Sequence, residues 1–170
     1  MEISLNAYEV LAIAEEVKRN GVKFYRHLSK YAESPDTRKL LQELSETEKR
    51  DAELFFRMRL DMSDKEKSTT RFDPAWDSWL YMREIADSHV FDVRHDPCER
   101  LSSRSDGQDI LKTAIELEKD MIIFLLDLKR HILSSDRSDK IDKVIRGEMM
   151  HIVVLGDQLR LLKSQTLLTK

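Results

Sequence analysis

Glu148 and His151 stand three residues apart, and so do Glu48 and Asp51. Residues at that spacing share one face of a helix, so each pair presents both side chains in the same direction. A carboxylate beside an imidazole suits iron, manganese or zinc. Two further ionisable residues belong with these four. Lys18 falls between Ala14 and Val22, and Glu118 between Ala114 and Ile122, each in the middle of an otherwise apolar stripe. Ionised carboxylates placed inside a protein without partners cost several kcal/mol each, on the order set by desolvation. Four acids (Glu48, Asp51, Glu118, Glu148) against the single cation of Lys18 leave three negative charges when His151 is neutral. A divalent ion would reduce that to one and a trivalent ion to none; protonating a carboxylate is the other route.

Four segments with helical periodicity must position these residues. The first spans 6–32, with Leu11, Ala14, Val22, Tyr25, Leu28 and Ala32 on one stripe. Ser34 is placed to cap the second, and Pro35 suits its first turn. That second helix spans 35–60, with Leu41, Leu44, Ala52 and Phe55 inward. The third spans 109–133, with Leu111, Ala114, Ile122, Leu125, Leu128 and Ile132 inward; a tight loop at 134–138 follows. The fourth spans 139–162, with Ile141, Val144, Ile152, Leu155, Leu159 and Leu162 inward and a frayed tail beyond. Between the pairs, 61–73 reads as a polar loop, 74–91 as a short helix carrying Trp76 and Trp79, and 92–108 as polar chain broken by Pro97 and Gly107. One domain is expected: a hairpin at 6–60, a crossover at 61–108 and a hairpin at 109–162. Short connections between long helices make antiparallel neighbours, so the fold class is an all-α antiparallel four-helix bundle with a long crossover.

The hairpins match each other at a constant offset of 100 without a gap: Leu11 with Leu111, Ala14 with Ala114, Phe24 with Phe124, Leu28 with Leu128, Ser34 with Ser134, and Glu48 with Glu148. A duplicated helical hairpin follows. At the chemically interesting positions the copies differ, Lys18 standing opposite Glu118 and Asp51 opposite His151.

Composition excludes several alternatives. With 36% charged residues, 4 glycines and 3 prolines in 170 residues, the chain suits long amphipathic helices better than a barrel or sandwich. A net charge of -3 argues against a nucleic-acid partner. The single cysteine, Cys98, excludes an intramolecular disulfide and an all-cysteine metal site. No basic, apolar leader opens the sequence and the longest apolar run, 121–126, is far too short to span a bilayer, so a cytoplasmic protein without membrane contact is expected. His27, His89, His95 and His131 have no partner spacing, and Glu15 sits at the edge of its stripe, where a solvated charge is the usual outcome.

A carboxylate on one helix followed by Glu-x-x-His on the next resembles the ferritin-like superfamily, nearest to its rubrerythrin-related di-iron carboxylate branch. The matching stretches run from Ala114 to Phe124, with Glu148-Met-Met-His151, and in the first half from Ala14 to Tyr25, with Glu48-Lys-Arg-Asp51. The resemblance implies a metal centre with Glu118, Glu148 and His151 as ligands, Glu48 bridging and Asp51 a weak ligand. It implies iron, with zinc or manganese as alternatives, and one or two ions per chain. It further implies oxygen, peroxide or iron chemistry as an oxidoreductase-type protein, and a homodimer. The family's glutamate is Lys18 in the first half and its histidine is Asp51, so the dinuclear site is incomplete. The Lys18 ammonium is then expected near the second metal position, paired with Glu48 and Asp51. Rubredoxin-type cysteine pairs are missing, so electrons would come from an external donor. The alternative is a non-catalytic bundle with one structural metal or none, acting through dimer or partner contacts.

Overall fold

The computed structural model describes residues 6–68, 107–130 and 132–168. Helix α1 spans Ala7–Tyr31, α2 Pro35–Leu60, α3 Asp64–Ser68, α4 Gly107–Arg130 and α5 Ser135–Leu168. The helix starts follow from capping chemistry. Asn6 accepts a hydrogen bond from the Glu9 amide at 2.9 Å, and the Asn6 amide in turn donates one to the Glu9 carboxylate. Ser34 caps α2 with Pro35 in the first turn, as its sequence predicts. Ser134 accepts from the Arg137 amide at 3.4 Å in the same way.

Three helices depart from the sequence reading: α4 runs Gly107–Arg130 where 109–133 was expected, so Gly107, read as a breaker, opens the helix at its first turn, and the other two are α3 and α5. The loop expected at 61–73 contains α3, because Ser63 and Glu66 form a reciprocal cap: the Ser63 amide donates to Glu66 at 2.8 Å and the Glu66 amide to Ser63 Oγ at 3.3 Å. This Ser-x-x-Glu signature was readable in the sequence. Glu66 also accepts a hydrogen bond from Arg137, and that bond, with those from Ser63, holds its carboxyl at about 2. The fourth helix starts at Ser135, inside the expected loop, and runs on to Leu168 past the expected fraying point. The short helix expected at 74–91, with Trp76 and Trp79, lies outside the described residues, as do Cys98, His89, His95 and His131.

Helix α1 packs along α2 and α4 along α5; across the hairpins α1 meets α4 and α2 meets α5. Thr37, near the start of α2, receives a hydrogen bond from Gln158 late in α5, while the carbonyl of Asp61 accepts from Arg137 at the start of α5. Helices α2 and α5 are therefore antiparallel. Leu11, Phe24, Leu28, Leu41, Phe55, Leu111, Phe124, Leu128 and Leu155 are all buried in one continuous core. Val22, Ile122, Ile152, Leu159 and Leu162, expected inward, are only half-buried, because they flank the stripe centre. The matches at an offset of 100, such as Leu11 with Leu111, Phe24 with Phe124 and Leu28 with Leu128, lie in this interior. On the outside the copies diverge: Lys23, Arg26, Lys49, Arg50 and Glu53 correspond to the exposed Ile123, Leu126, Met149, Met150 and Val153. No helix among the described residues is long and apolar enough to cross a membrane.

Candidate metal centre

Four charged layers meet where the four long helices face one another. Lys18 from α1, Glu48 from α2, Glu118 from α4 and Glu148 from α5 are each at most 1% exposed, and His151 is 6% exposed. Helical periodicity places them there: each occupies an inward position between apolar neighbours one turn away on either side. Glu48, Glu118, Glu148 and His151 each offer a ligand atom, and these atoms all lie within 4.8 Å of one another. His151 Nδ1 is 3.2 Å from Glu118 Oε1, 3.3 Å from Glu148 Oε2 and 3.8 Å from Glu48 Oε1.

Asp51 is not in that group. It lies on the other side of the cluster, with Oδ2 at 3.5 Å from Lys18 Nζ. The same ammonium is 3.0 Å from Glu48 Oε1 and donates to Glu148 Oε1. The ion pairs with Glu48 and Asp51 that the sequence led us to expect are both formed, and the one with Glu148 is additional. Glu15 departs from expectation. It is 7% exposed rather than solvated, because Arg59 reaches it at 2.7 Å and Arg19 at 2.8 Å. These guanidiniums outweigh its burial and hold its carboxyl below the usual range. With both oxygens so engaged, Glu15 does not take the place of the glutamate that Lys18 replaces.

Two residues matter more than their sequence positions suggested. The Tyr25 hydroxyl donates to Glu118 Oε1, so this fully buried phenol orients the carboxylate nearest His151. Its counterpart in the duplicate is Leu125, which has no hydroxyl to offer. Gly21 is the second. A Cβ there would fall 2.5 Å from Glu48 Oε2, so the glycine makes room for the Glu48 carboxylate against the α1 backbone. No periodicity reveals this, since a glycine inside a helix carries no pattern of its own. The paired expectation is specific. Alanine is better than glycine in a helix by about 1 kcal/mol. Gly147→Ala, where nothing lies within 4 Å of the added carbon, should gain most of that. Gly21→Ala should instead lose about 1–3 kcal/mol through overpacking. Urea unfolding of the two variants checks the opposite signs.

The electrostatics follow from burial and mutual proximity. Burial opposes the charge on Lys18, but Glu148, Glu48, Asp51 and Glu118 together overcome it and hold the amine protonated, its pKa well above the ordinary value. Burial raises Glu48 to about 7 against the pull of Lys18. Burial and the neighbouring Glu148 charge push Glu118 well above the carboxylate range. Glu148 goes the other way: against its burial, Lys18 and His151 hold it below that range. His151 is raised to about 10 because, against its burial, Glu118 and Glu148 favour the imidazolium. Most of the acids' charge is thus offset by Lys18 on one side and by protons on His151 and Glu118 on the other. Glu48 Oε2 is buried with no hydrogen-bond donor, and Glu148 Oε2 has only the His151 imidazole beside it, at 3.3 Å. Buried oxygens short of donors, next to an imidazole nitrogen, form the donor set of a cation site. A divalent ion that displaced the protons of His151 and Glu118 would leave the total charge of the cluster unchanged.

No family model matches this sequence and no curated protein matches it significantly. Among solved structures it is similar to the crystal structure of a Thermotoga maritima protein described as a ferritin-like diiron-carboxylate protein. The two are 25% identical with a TM-score of 0.73, and the match covers 94% of this chain and 98% of that one. Near-complete coverage of both chains, four long helices in two hairpins, and carboxylates converging on a histidine at the bundle centre lead to one conclusion: this chain has the all-α bundle fold of a ferritin-like protein.

Proposed function

We propose that this protein binds a transition-metal cation, iron in its working form, at Glu118, Glu148, His151 and Glu48, and acts as an oxidoreductase-type protein on oxygen, peroxide or iron. The observation that supports this reading most is the convergence of the four side chains, fully buried, within reach of a single ion. The similar Thermotoga maritima protein, described as diiron-carboxylate, supports iron. When bound, the metal supplies the electron chemistry. The chain's part is to hold the carboxylates in place through Tyr25 and Lys18, to keep water out, and to release protons from His151 and Glu118 as the ion enters. No cysteine pair serves as an electron relay, so the reading includes an external electron donor.

A second reading is a non-catalytic bundle with one structural ion or none, acting through dimer or partner contacts. It is favoured by Lys18, which already satisfies part of the buried negative charge. The two are separated by loading the protein anaerobically with ferrous iron and, separately, zinc, then following metal content and ferrous oxidation by oxygen or peroxide. The oxidoreductase reading expects bound iron that oxidises well above the rate of free ferrous ion. His151→Ala and Glu148→Ala should each weaken retention at least about 100-fold, since even groups that only support a ligand cost 10–100-fold. Bound zinc with no accelerated ferrous oxidation, or failure to retain either ion, would select the non-catalytic reading.

A further inference from the structure

Resting on that reading, we infer that the centre is a mixed pair, one metal ion and one fixed ammonium, with Lys18 Nζ occupying the position where a symmetrical site would carry its second cation. The two hairpins correspond in sequence at a constant offset of 100. Position 18 in α1 corresponds to Glu118 in α4, and Asp51 in α2 to His151 in α5. Around the second half of the cluster, Glu118, Glu148 Oε2 and Glu48 Oε1 surround His151 Nδ1. Around the first half, Glu48 Oε1, Glu148 Oε1 and Asp51 Oδ2 surround Lys18 Nζ.

An ammonium has three N–H donors and no acceptor. Lys18 has three carboxylate oxygens within ion-pair reach, one from each of three residues, and is itself fully buried. Its donors therefore have all the acceptors they can use. The two oxygens of Glu148 divide between the sites, Oε1 to the ammonium and Oε2 toward His151. Glu148 thus bridges a metal position and an organic cation, in the way a carboxylate bridges two metals. Glu48 Oε1 likewise lies between Lys18 at 3.0 Å and His151 at 3.8 Å.

Two consequences follow from charge and space. A metal entering the first position would meet a buried positive charge at contact distance, and like charges in a low-dielectric interior repel strongly. The replacement of histidine by Asp51 fits an ammonium partner as well: an aspartate supplies the negative charge that an ammonium needs, whereas a histidine would compete with it for protons. The lysine and the aspartate therefore belong together as one device that makes the centre take a single ion.

The test is metal stoichiometry after loading with ferrous iron or zinc and removing free ion, in the wild type and in Lys18→Glu/Asp51→His, which restores in the first half the residue types of the second. The expected result is about one ion per chain in the wild type and about two in the double variant, with helical content unchanged by circular dichroism. Two ions in the wild type would overturn the inference while leaving the metal-binding reading intact. No ion in the wild type would overturn that reading and the inference with it. Should the double variant fail to fold, the wild type still decides by a second measurement, the side-chain ¹⁵N–¹H spectrum of its lysines. A buried ammonium gives a slowly exchanging resonance, assigned by its loss in Lys18→Met. It should persist and shift when one zinc is bound. Its disappearance on zinc loading, signalling a displaced or deprotonated lysine, would overturn the inference.

Discussion

Lys18→Met is expected to destabilise the metal-free protein by about 3–5 kcal/mol, the range for breaking a buried ion pair by removing one partner. The ammonium is fully buried and lies among Glu48, Asp51 and Glu148. Methionine keeps an unbranched side chain only one atom shorter than that of lysine, so little cavity is created; the cost comes from carboxylates left inside without their cation. In a chain of this size each kcal/mol corresponds to about 2–4 °C in Tm, so the transition should fall by roughly 10 °C. The loss should not be additive with one at Glu48. Replacing a buried ion pair by apolar groups of similar volume is often close to neutral. Lys18→Met/Glu48→Leu should therefore lose clearly less than the two single variants summed. Urea unfolding of the four proteins at neutral pH, followed by circular dichroism, measures the coupling. A Lys18→Met variant as stable as the wild type would show that the ammonium is not what neutralises the cluster.

The second large effect is on pH. His151 is raised to about 10 from an ordinary value of 6.5, so its contribution is complete below 6.5 and lost as pH rises through about 10. Glu48 is raised to about 7 from 4.5, so its contribution is complete below 4.5 and lost as pH rises through about 7. Both make the metal-free protein less stable as the solution becomes alkaline. Glu148 is lowered, so its contribution is present above 4.5 and lost as pH falls through its lower folded value. The metal-free protein should thus be most stable near about pH 4–5, since the Glu48 contribution is lost above that range and the Glu148 contribution below it. At about 1.4 kcal/mol for each pH unit separating folded and unfolded values, His151 alone accounts for roughly 4 kcal/mol between pH 6 and 10. Zinc should flatten this profile, because a cation that replaces the protons of His151 and Glu118 removes the groups that titrate. Its binding near neutral pH should release roughly two protons. Unfolding midpoints from pH 5 to 10, with and without zinc, check the profile; calorimetry in buffers of different ionisation enthalpy counts the protons. If His151→Leu keeps the alkaline slope of the wild type, the slope does not come from this histidine.

Much of this protein was legible before its structure. Periodicity fixed the four long helices, because each must bury one stripe and solvate the other. Leu11, Leu41, Leu111 and Ile141 were found inside as expected. Capping residues marked the helix starts, and the one short helix misread as loop, α3, carried its own Ser63–Glu66 signature. The candidate site was legible for a related reason. A charged residue in the middle of an apolar stripe conflicts with its surroundings, and that conflict is visible in one dimension. Lys18, Glu48, Glu118 and Glu148 announced themselves in this way.

What the tertiary structure alone decided is how those charges are shared. Sequence could list the ionisable residues on the inward faces, but pairing depends on the register of one helix against another, which no single helix encodes. Only the packed bundle divides Glu148 between Lys18 and His151, places Asp51 on the ammonium's side, and sets the Tyr25 hydroxyl on Glu118 across 93 residues of chain. Only the packed bundle gives Gly21 a purpose, since the neighbour that needs its missing side chain, Glu48, belongs to another helix. Glu15 makes the same point from the other direction. At the edge of a stripe it looks solvated, and it is buried because Arg59 arrives from α2 to meet it. Local pattern determines which groups face inward; long-range packing determines which of them meet, and in a low-dielectric interior their meeting sets their charge.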